Sequence, residues 1–230
     1  MILAASDNEW TRSIWPYHFE LSLTIGLISR GLVSELSVTN RSRTRMDFFA
    51  AFLNHISVTD PLRREVNLHG LQDTAYFDSA SRPDTPLARR QNEQVCWLEG
   101  PTERAYVQTA PEVGLEVGTG CTVWTQNMMG FEDHVVFNPG LTSQPAFFRD
   151  FVGVASARAG RPIKLAPGDT WYASQILDVE DKVYTPDICY WDRPKPKPMP
   201  PWMKPEDLQL RIPESEGFFK REYLDWWKAK

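Results

Sequence analysis

The chain has 230 residues, of which 42% are hydrophobic and 24% charged, a balance typical of a soluble folded protein with one large domain or two small ones. Its formal net charge of -5 argues against nucleic acid as the main partner, because phosphate binding needs a basic surface. The sequence contains no run of about 18 apolar residues, so it predicts no segment that spans a membrane.

The cysteines and histidines show no pattern of a disulfide framework or a metal site. Cys96, Cys121 and Cys189 lie far apart and form no CxxC pair, so we expect idle thiols in a reducing compartment. The histidines show no HxH or HExxH spacing. We therefore predict no metal and no other cofactor. The N-terminal MILAASDNEW resembles neither a secretory signal nor a transit peptide, which leaves the compartment open.

The first predicted elements are two strands that form an antiparallel pair. In YHFELSLTIGLI, apolar and polar residues alternate, which predicts a strand with one buried face. LVSELSVTN follows as a second strand, and the polar stretch NRSRTR predicts the turn that ends it.

The middle of the chain predicts many more strands and no strong helix. MDFFAAFLNHISV is mostly apolar, which favours a strand in the interior of a sandwich. SRPDTPLARRQNEQ is rich in proline and charge and predicts a loop. Further strands are predicted in EVNLHGL, TAYFDSA, RAYVQTA, VGLEVGTGCTVWTQN, DHVVFNPG and GDTWYASQILDV. The fold class is therefore all-β, as a sandwich or barrel.

The composition changes after Val179, and six prolines between Pro194 and Pro205 predict an extended arm. The final SEGFFKREYLDWWKAK predicts a short helix with an aromatic face. This helix either packs on the domain's own core or binds another chain, and we favour the second because a semi-rigid arm precedes it. We predict a β-sandwich over 1–185 and a docking arm over 186–230. The expected partner-binding residues are Phe218, Phe219, Tyr223, Trp226 and Trp227.

Several stretches in order, over roughly residues 10–180, resemble the hexose-6-phosphate mutarotase (glucose-6-phosphate 1-epimerase-like) family of the galactose-mutarotase-like fold. They are WPYHFELSLTIGL, LSVTNRSRTRMDF, SVTDPLRREVNLHGLQDTAYFD, GPTERAYV, FEDHVVFNPG and IKLAPGDTWYASQ. The resemblance implies an antiparallel β-supersandwich. It starts partway into the family's pattern, so the N-terminal part that carries arginine and histidine contacts to the sugar phosphate has no counterpart here.

The family's reaction needs a histidine that protonates the ring oxygen and a glutamate that deprotonates the anomeric hydroxyl. Anchored on SVTD, the resemblance puts the acid position at Leu53, and anchored on LAPGDTW it puts the base position at Ala155. Neither side chain can transfer a proton. We expect Leu53 and Ala155 to lie close together, on facing strands or adjoining loops, and to line one concavity with Asp133.

Two polar residues remain as vestigial substrate contacts. His55 shares a strand face with Leu53 but is displaced from it by about 6–7 Å, which makes it a weak candidate for the acid. Asp133 matches a family aspartate that contacts sugar hydroxyls, although backbone donors at a strand end could equally hold its carboxylate. Arg104 and Tyr106 match an Arg-x-Tyr that we interpret as structural.

Three functions follow from the resemblance. The first is a catalytically inactive mutarotase-like protein that serves as a structural subunit, as do degenerate members in subcomplex B of the chloroplast NADH dehydrogenase-like complex. The second is an active hexose-6-phosphate 1-epimerase with a rearranged site, and the third is a module that binds a sugar phosphate. The first predicts other protein subunits as partners and a place on the stromal side of the thylakoid, peripheral to the membrane at most; otherwise we expect a cytoplasmic protein.

Overall fold

The computed structural model describes residues 1–28, 31–80, 87–140 and 149–181. Within these ranges the chain forms two antiparallel β-sheets that pack face to face, with one short helix. The predicted all-β sandwich is confirmed. The predicted arm and aromatic helix over 186–230 lie outside the described residues.

The larger sheet has eight strands and contains the first two strands that the sequence predicted. The predicted antiparallel pairing of those two strands is confirmed, with Leu23 opposite Leu36. In spatial order its strands are β1 (Ile2–Ser6), β2 (Phe19–Leu27), β3 (Gly31–Asn40), β14 (Thr170–Asp181), β11 (Cys121–Met129), β10 (Glu112–Val117), β5 (Val66–His69) and β8 (Val95–Cys96).

The smaller sheet has six strands and contains every position that the resemblance assigned to catalysis. In spatial order its strands are β4 (Met46–Ser57), β13 (Phe151–Leu165), β12 (Asp133–Asn138), β9 (Thr102–Val107), β6 (Ala75–Asp78) and β7 (Leu87–Arg90). Neighbouring strands are antiparallel throughout.

The space between the sheets holds two apolar clusters. The larger one combines residues of both sheets, among them Val66 and Leu115 of the eight-stranded sheet with Tyr106 and Val154 of the six-stranded sheet. The smaller one surrounds Met46 near the N-terminal strands. Burying this apolar surface is the main stabilising contribution to such a fold.

The helix α1 (Glu9–Ile14) was not expected from the sequence. Asn8 caps its start: the Asn8 side chain accepts from the Thr11 backbone N–H, and the Thr11 hydroxyl oxygen accepts from the Asn8 N–H. None of its residues is buried. Six residues are too few for a periodic signal, and the apolar side chains of Trp10 and Ile14 are exposed, so only the reciprocal cap marks the helix.

Two interpretations of the middle of the chain were wrong. MDFFAAFLNHISV is not an interior strand of the sandwich that is covered on both faces. Among the described residues β4 is an edge strand, and its alternate side chains are exposed. The predicted loop SRPDTPLARRQNEQ contains β7. The sequence LARR has no apolar alternation that would predict a strand, and pairing with β6 forms it.

No helix within the described ranges is long and apolar enough to cross a membrane.

Candidate functional site

Leu53 and Ala155 are directly opposite each other on β4 and β13. Directly opposite residues of an antiparallel pair point to the same face, with Cβ atoms about 4.5–5.5 Å apart. Leu53 is 50% exposed, whereas Ala155 is 2% exposed. The expectation that these two positions are close together is confirmed.

Both residues lie on the face of the six-stranded sheet that points away from the eight-stranded sheet, which we call the outer face. Val152 and Val154 of β13 belong to the core between the sheets, so the residues that alternate with them point outward. The strand register extends the row across five strands. That row consists of Leu53, Ala155, Val135, Ala105 and Phe77. The centre of the outer face is therefore apolar.

His55 lies in the next row of the same face. Its ring packs against Phe151 at an interplanar angle of 52° with the centroids 4.5 Å apart, and Phe151 in turn contacts Phe137. The His55 side chain is exposed. Its row continues through Gly153 and Phe137 to Glu103, which is three strands or about 14 Å away. The residue directly opposite His55 on the neighbouring strand is thus a glycine, and this row brings no carboxylate onto a strand next to His55.

Leu53 covers the backbone that a ligand would approach beside His55. A Cβ atom at Gly153 would lie 3.2 Å from the Leu53 Cδ1 atom and 3.2 Å from the Phe137 Cβ atom. The space beside Gly153 is thus already occupied by the neighbouring apolar side chains of Leu53 and Phe137. A histidine at position 53 would present nitrogen to this surface, but the leucine presents only methyl groups.

Asp133 lies at the start of β12 and is 3% exposed. Its Oδ1 accepts a hydrogen bond from the Gln108 backbone N–H (2.9 Å), and its Oδ2 accepts from the backbone N–H groups of Ala159 (2.7 Å) and Gly160 (2.8 Å). Gln108 has a φ of 53°, a left-handed conformation that this bond helps to hold. The carboxylate is engaged in fixing two backbone segments, which leaves little capacity for a sugar hydroxyl.

His134 follows Asp133 and points the other way, into the space between the sheets, where it is fully buried. The Thr109 hydroxyl oxygen lies 2.7 Å from its Nδ1. Burial lowers the pKa of His134 to about 4, against smaller opposing effects of the Thr125 backbone and the Asp133 carboxylate. No role was expected for His134, although strand alternation beside Asp133 would have placed its side chain inside the sandwich.

Arg104 and Tyr106 form a packed polar cluster away from the outer face. The Arg104 guanidinium lies over the Tyr76 ring and 3.4 Å from an Asp78 carboxylate oxygen. The Tyr106 hydroxyl lies 3.6 Å from the Cys96 sulfur. Burial raises the pKa of the Tyr106 phenol above its usual range. These contacts join β9, β6 and β8, as a structural role requires.

Among the described residues, no group of three or more histidine, cysteine, aspartate or glutamate side chains is arranged to hold a metal ion. Cys96 and Cys121 are free thiols, and Cys189 lies outside the described residues.

The sequence matches no family model, and no curated protein matches it. The fold is similar to that of YeaD from Salmonella typhimurium, with a TM-score of 0.65, 17% identity and coverage of 78% of this chain and 60% of that one. A galactose mutarotase related enzyme from Lactobacillus acidophilus gives a TM-score of 0.64 at 13% identity, covering 79% of this chain and 68% of that one. A galactose mutarotase-like protein from Lactobacillus casei gives 0.61 at 14% identity, covering 78% and 69%.

These similarities establish the galactose mutarotase-like β-sandwich fold of the described chain. At identities this low they establish the fold alone, because one fold supports many functions. The chain also spans only about 60% of the length of YeaD.

Proposed function

We propose that this chain is a mutarotase-like protein without catalytic activity that serves as a structural subunit of a larger assembly. The observation that supports this proposal most is the pairing of Leu53 with Ala155 in the sheet. Two independent sequence anchors assigned these positions to the acid and the base of the reaction, and they are neighbours, as one shared substrate requires. Both carry side chains that cannot transfer a proton.

The surrounding residues do not replace the missing pair. Losing a general acid or a general base typically slows a reaction about 10²–10⁴-fold. The Asp133 carboxylate is engaged by three backbone donors, and Glu103 is three strands away from His55. The outer face thus keeps the positions of the acid and the base as neighbours, with side chains at those two positions that cannot transfer a proton.

A binding role is supported by the exposed apolar side chains of β4 on the outer face, Phe49 and Leu53, and by the aromatic residues expected in the C-terminal arm. Contiguous exposed apolar surface marks interaction sites, and aromatic side chains are enriched at interfaces. The finer proposal, drawn from the family resemblance, is a subunit of the chloroplast NADH dehydrogenase-like complex on the stromal side of the thylakoid.

The subunit proposal is tested by the size of the native protein in an extract of its source, followed by antibody on a native gel. We expect migration at very high mass, and removal of residues 191–230 should release a folded sandwich from the assembly. Migration of the intact chain as a monomer would contradict the proposal. Co-migration with NADH dehydrogenase-like subunits, lost in plants or algae that lack that complex, tests the finer assignment.

An active hexose-6-phosphate 1-epimerase is the second candidate, and the exposed imidazole of His55 beside Leu53 is the observation in its favour. A module that binds a sugar phosphate without chemistry is distinguished from both by calorimetry with glucose-6-phosphate. Heat of binding without anomerisation would identify the module, whereas the structural subunit should show neither.

A further inference from the structure

The described sandwich has four strand edges, and three of them are shorter than the fourth. β1 has five residues, β7 has four and β8 has two, so each offers fewer backbone groups to another strand than the twelve-residue β4. β7 also carries Arg89 and Arg90. Short strands and charged side chains are the usual means by which proteins prevent pairing at an edge.

β4 has none of these protections. It is twelve residues long, contains no proline or lysine, and has Asp47 as its single charged residue. Its exposed side chains include Phe49, at 61% exposure, and Leu53. A long, apolar edge strand exposes backbone N–H and C=O groups that another strand can satisfy.

We propose that β4 pairs with β4 of a second copy of this chain, antiparallel about a two-fold axis through Ala51, so that the two six-stranded sheets form one continuous sheet. The interface is isologous, as in most homodimers. This inference does not rest on the proposed function, because it follows from the edge and not from the chemistry of the outer face.

The sequence of β4 is complementary to itself in this register. Ala51 meets Ala51 of the second copy at the axis, and Phe49 lies opposite Leu53 of the second copy. Asp47 lies opposite His55, which places a carboxylate beside an imidazole. Almost the whole strand is used, from residue 46 to residue 56, and no two like charges are opposed.

The register that pairs Phe49 with Leu53 also keeps the outer faces of the two copies on the same side of the joined sheet. Directly opposite residues of an antiparallel pair share a face, so a shift by one residue would place outer side chains of one copy beside core side chains of the other. Charged residues are few in this strand, whereas the chain as a whole has a net charge of -5. The β4 edge is thus a surface at which two acidic chains can meet without repulsion.

The inference is tested by sedimentation of the purified full-length chain with two matched double variants. Phe49→Glu with Leu53→Glu places glutamates opposite each other twice in the dimer, whereas Phe49→Lys with Leu53→Glu places a lysine opposite a glutamate twice. Both changed side chains are exposed, so the two variants should fold equally well, which thermal melting checks. Val179→Glu, on an exposed position of the other sheet, is the control.

We expect a dimer for the natural chain, for the control and for the Lys/Glu variant, with dimer affinity at least 10-fold weaker in the Glu/Glu variant. A natural chain that stays monomeric up to about 100 μM would overturn the inference. So would a Glu/Glu variant as dimeric as the natural chain, since the interface would then lie elsewhere, or a Lys/Glu variant as monomeric as the Glu/Glu variant.

Discussion

Leu53 and Ala155 are direct cross-strand neighbours, and the leucine side chain covers the sheet beside the alanine. The two positions were assigned from separate anchors, SVTD and LAPGDTW, that lie more than a hundred residues apart in the sequence. An alignment error of one residue at either anchor would place them on different faces, and an error of two residues would separate them along the strands. Their pairing therefore supports the assignment of both positions.

The first prediction concerns the cost of restoring the two catalytic residues. Leu53→His should change the free energy of unfolding by less than about 1 kcal/mol, because the side chain is half exposed. Ala155→Glu should cost about 2 kcal/mol, because the carboxylate enters a buried apolar position without a partner. Urea unfolding of both variants checks this. An Ala155→Glu variant as stable as the natural chain would mean that position 155 is open to water.

The second prediction concerns Asp133. Asp133→Ala removes the acceptor of three backbone hydrogen bonds, so the free energy of unfolding should fall by about 3 kcal/mol. Glu103→Gln, an exposed change on the same sheet, is the control and should be nearly neutral. Urea unfolding measures both. If Asp133→Ala proves as neutral as the control, the carboxylate has no structural role and a ligand role regains support.

The third prediction concerns pH and His134. Its pKa is about 4 in the folded chain against 6.5 as the ordinary value, so the unfolded chain binds the proton first as pH falls. The contribution of His134 to stability is therefore fully present above pH 6.5 and falls by about 3 kcal/mol as pH drops to 4. Denaturant unfolding at a series of pH values measures this slope. The stability of the natural chain minus that of His134→Gln at each pH separates the contribution of His134 from the opposing one of Glu35. A difference that does not change with pH would refute the assignment.

The fourth prediction concerns Glu35 on β3, which is 3% exposed. Burial raises its pKa from 4.5 to about 7. The folded chain therefore holds the proton more tightly, and the associated stability is present below pH 4.5 and lost as pH rises through 7. Glu35→Gln should make the chain more stable than the natural one at pH 8, by about 2 kcal/mol, and not at pH 4.5. Equal stability at pH 8 in thermal melts would show that the carboxylate reaches water.

The sequence predicted the fold class because alternation in β2 and the polar turn after β3 are local signals. It missed the longest strand, β13, since the run GVASARAG is rich in alanine and glycine, which have low strand propensity. It misplaced β4 because Phe48, Phe49, Phe52 and Leu53 are apolar on both faces, which is typical of interior strands. Only the tertiary contacts show which face is covered.

The sequence was enough to predict which residues belong to the candidate site, but not how they are arranged in space. The family resemblance identified Leu53, Ala155 and Asp133, yet the register of β4 against β13 depends on strands far apart in the chain. The donors to Asp133 are backbone groups of Gln108, Ala159 and Gly160, and no side-chain pattern encodes them. His134 was passed over because its burial follows from the sandwich and not from its neighbours in sequence.

The absence of an acid and a base is tested most directly by the rate at which glucose-6-phosphate anomers interconvert, followed by NMR exchange with the purified chain. We predict no acceleration above buffer for the natural chain and none for His55→Ala, because Leu53 and Ala155 cannot exchange protons with the sugar. Acceleration by the natural chain that disappears in His55→Ala would contradict the account and make His55 the catalytic acid.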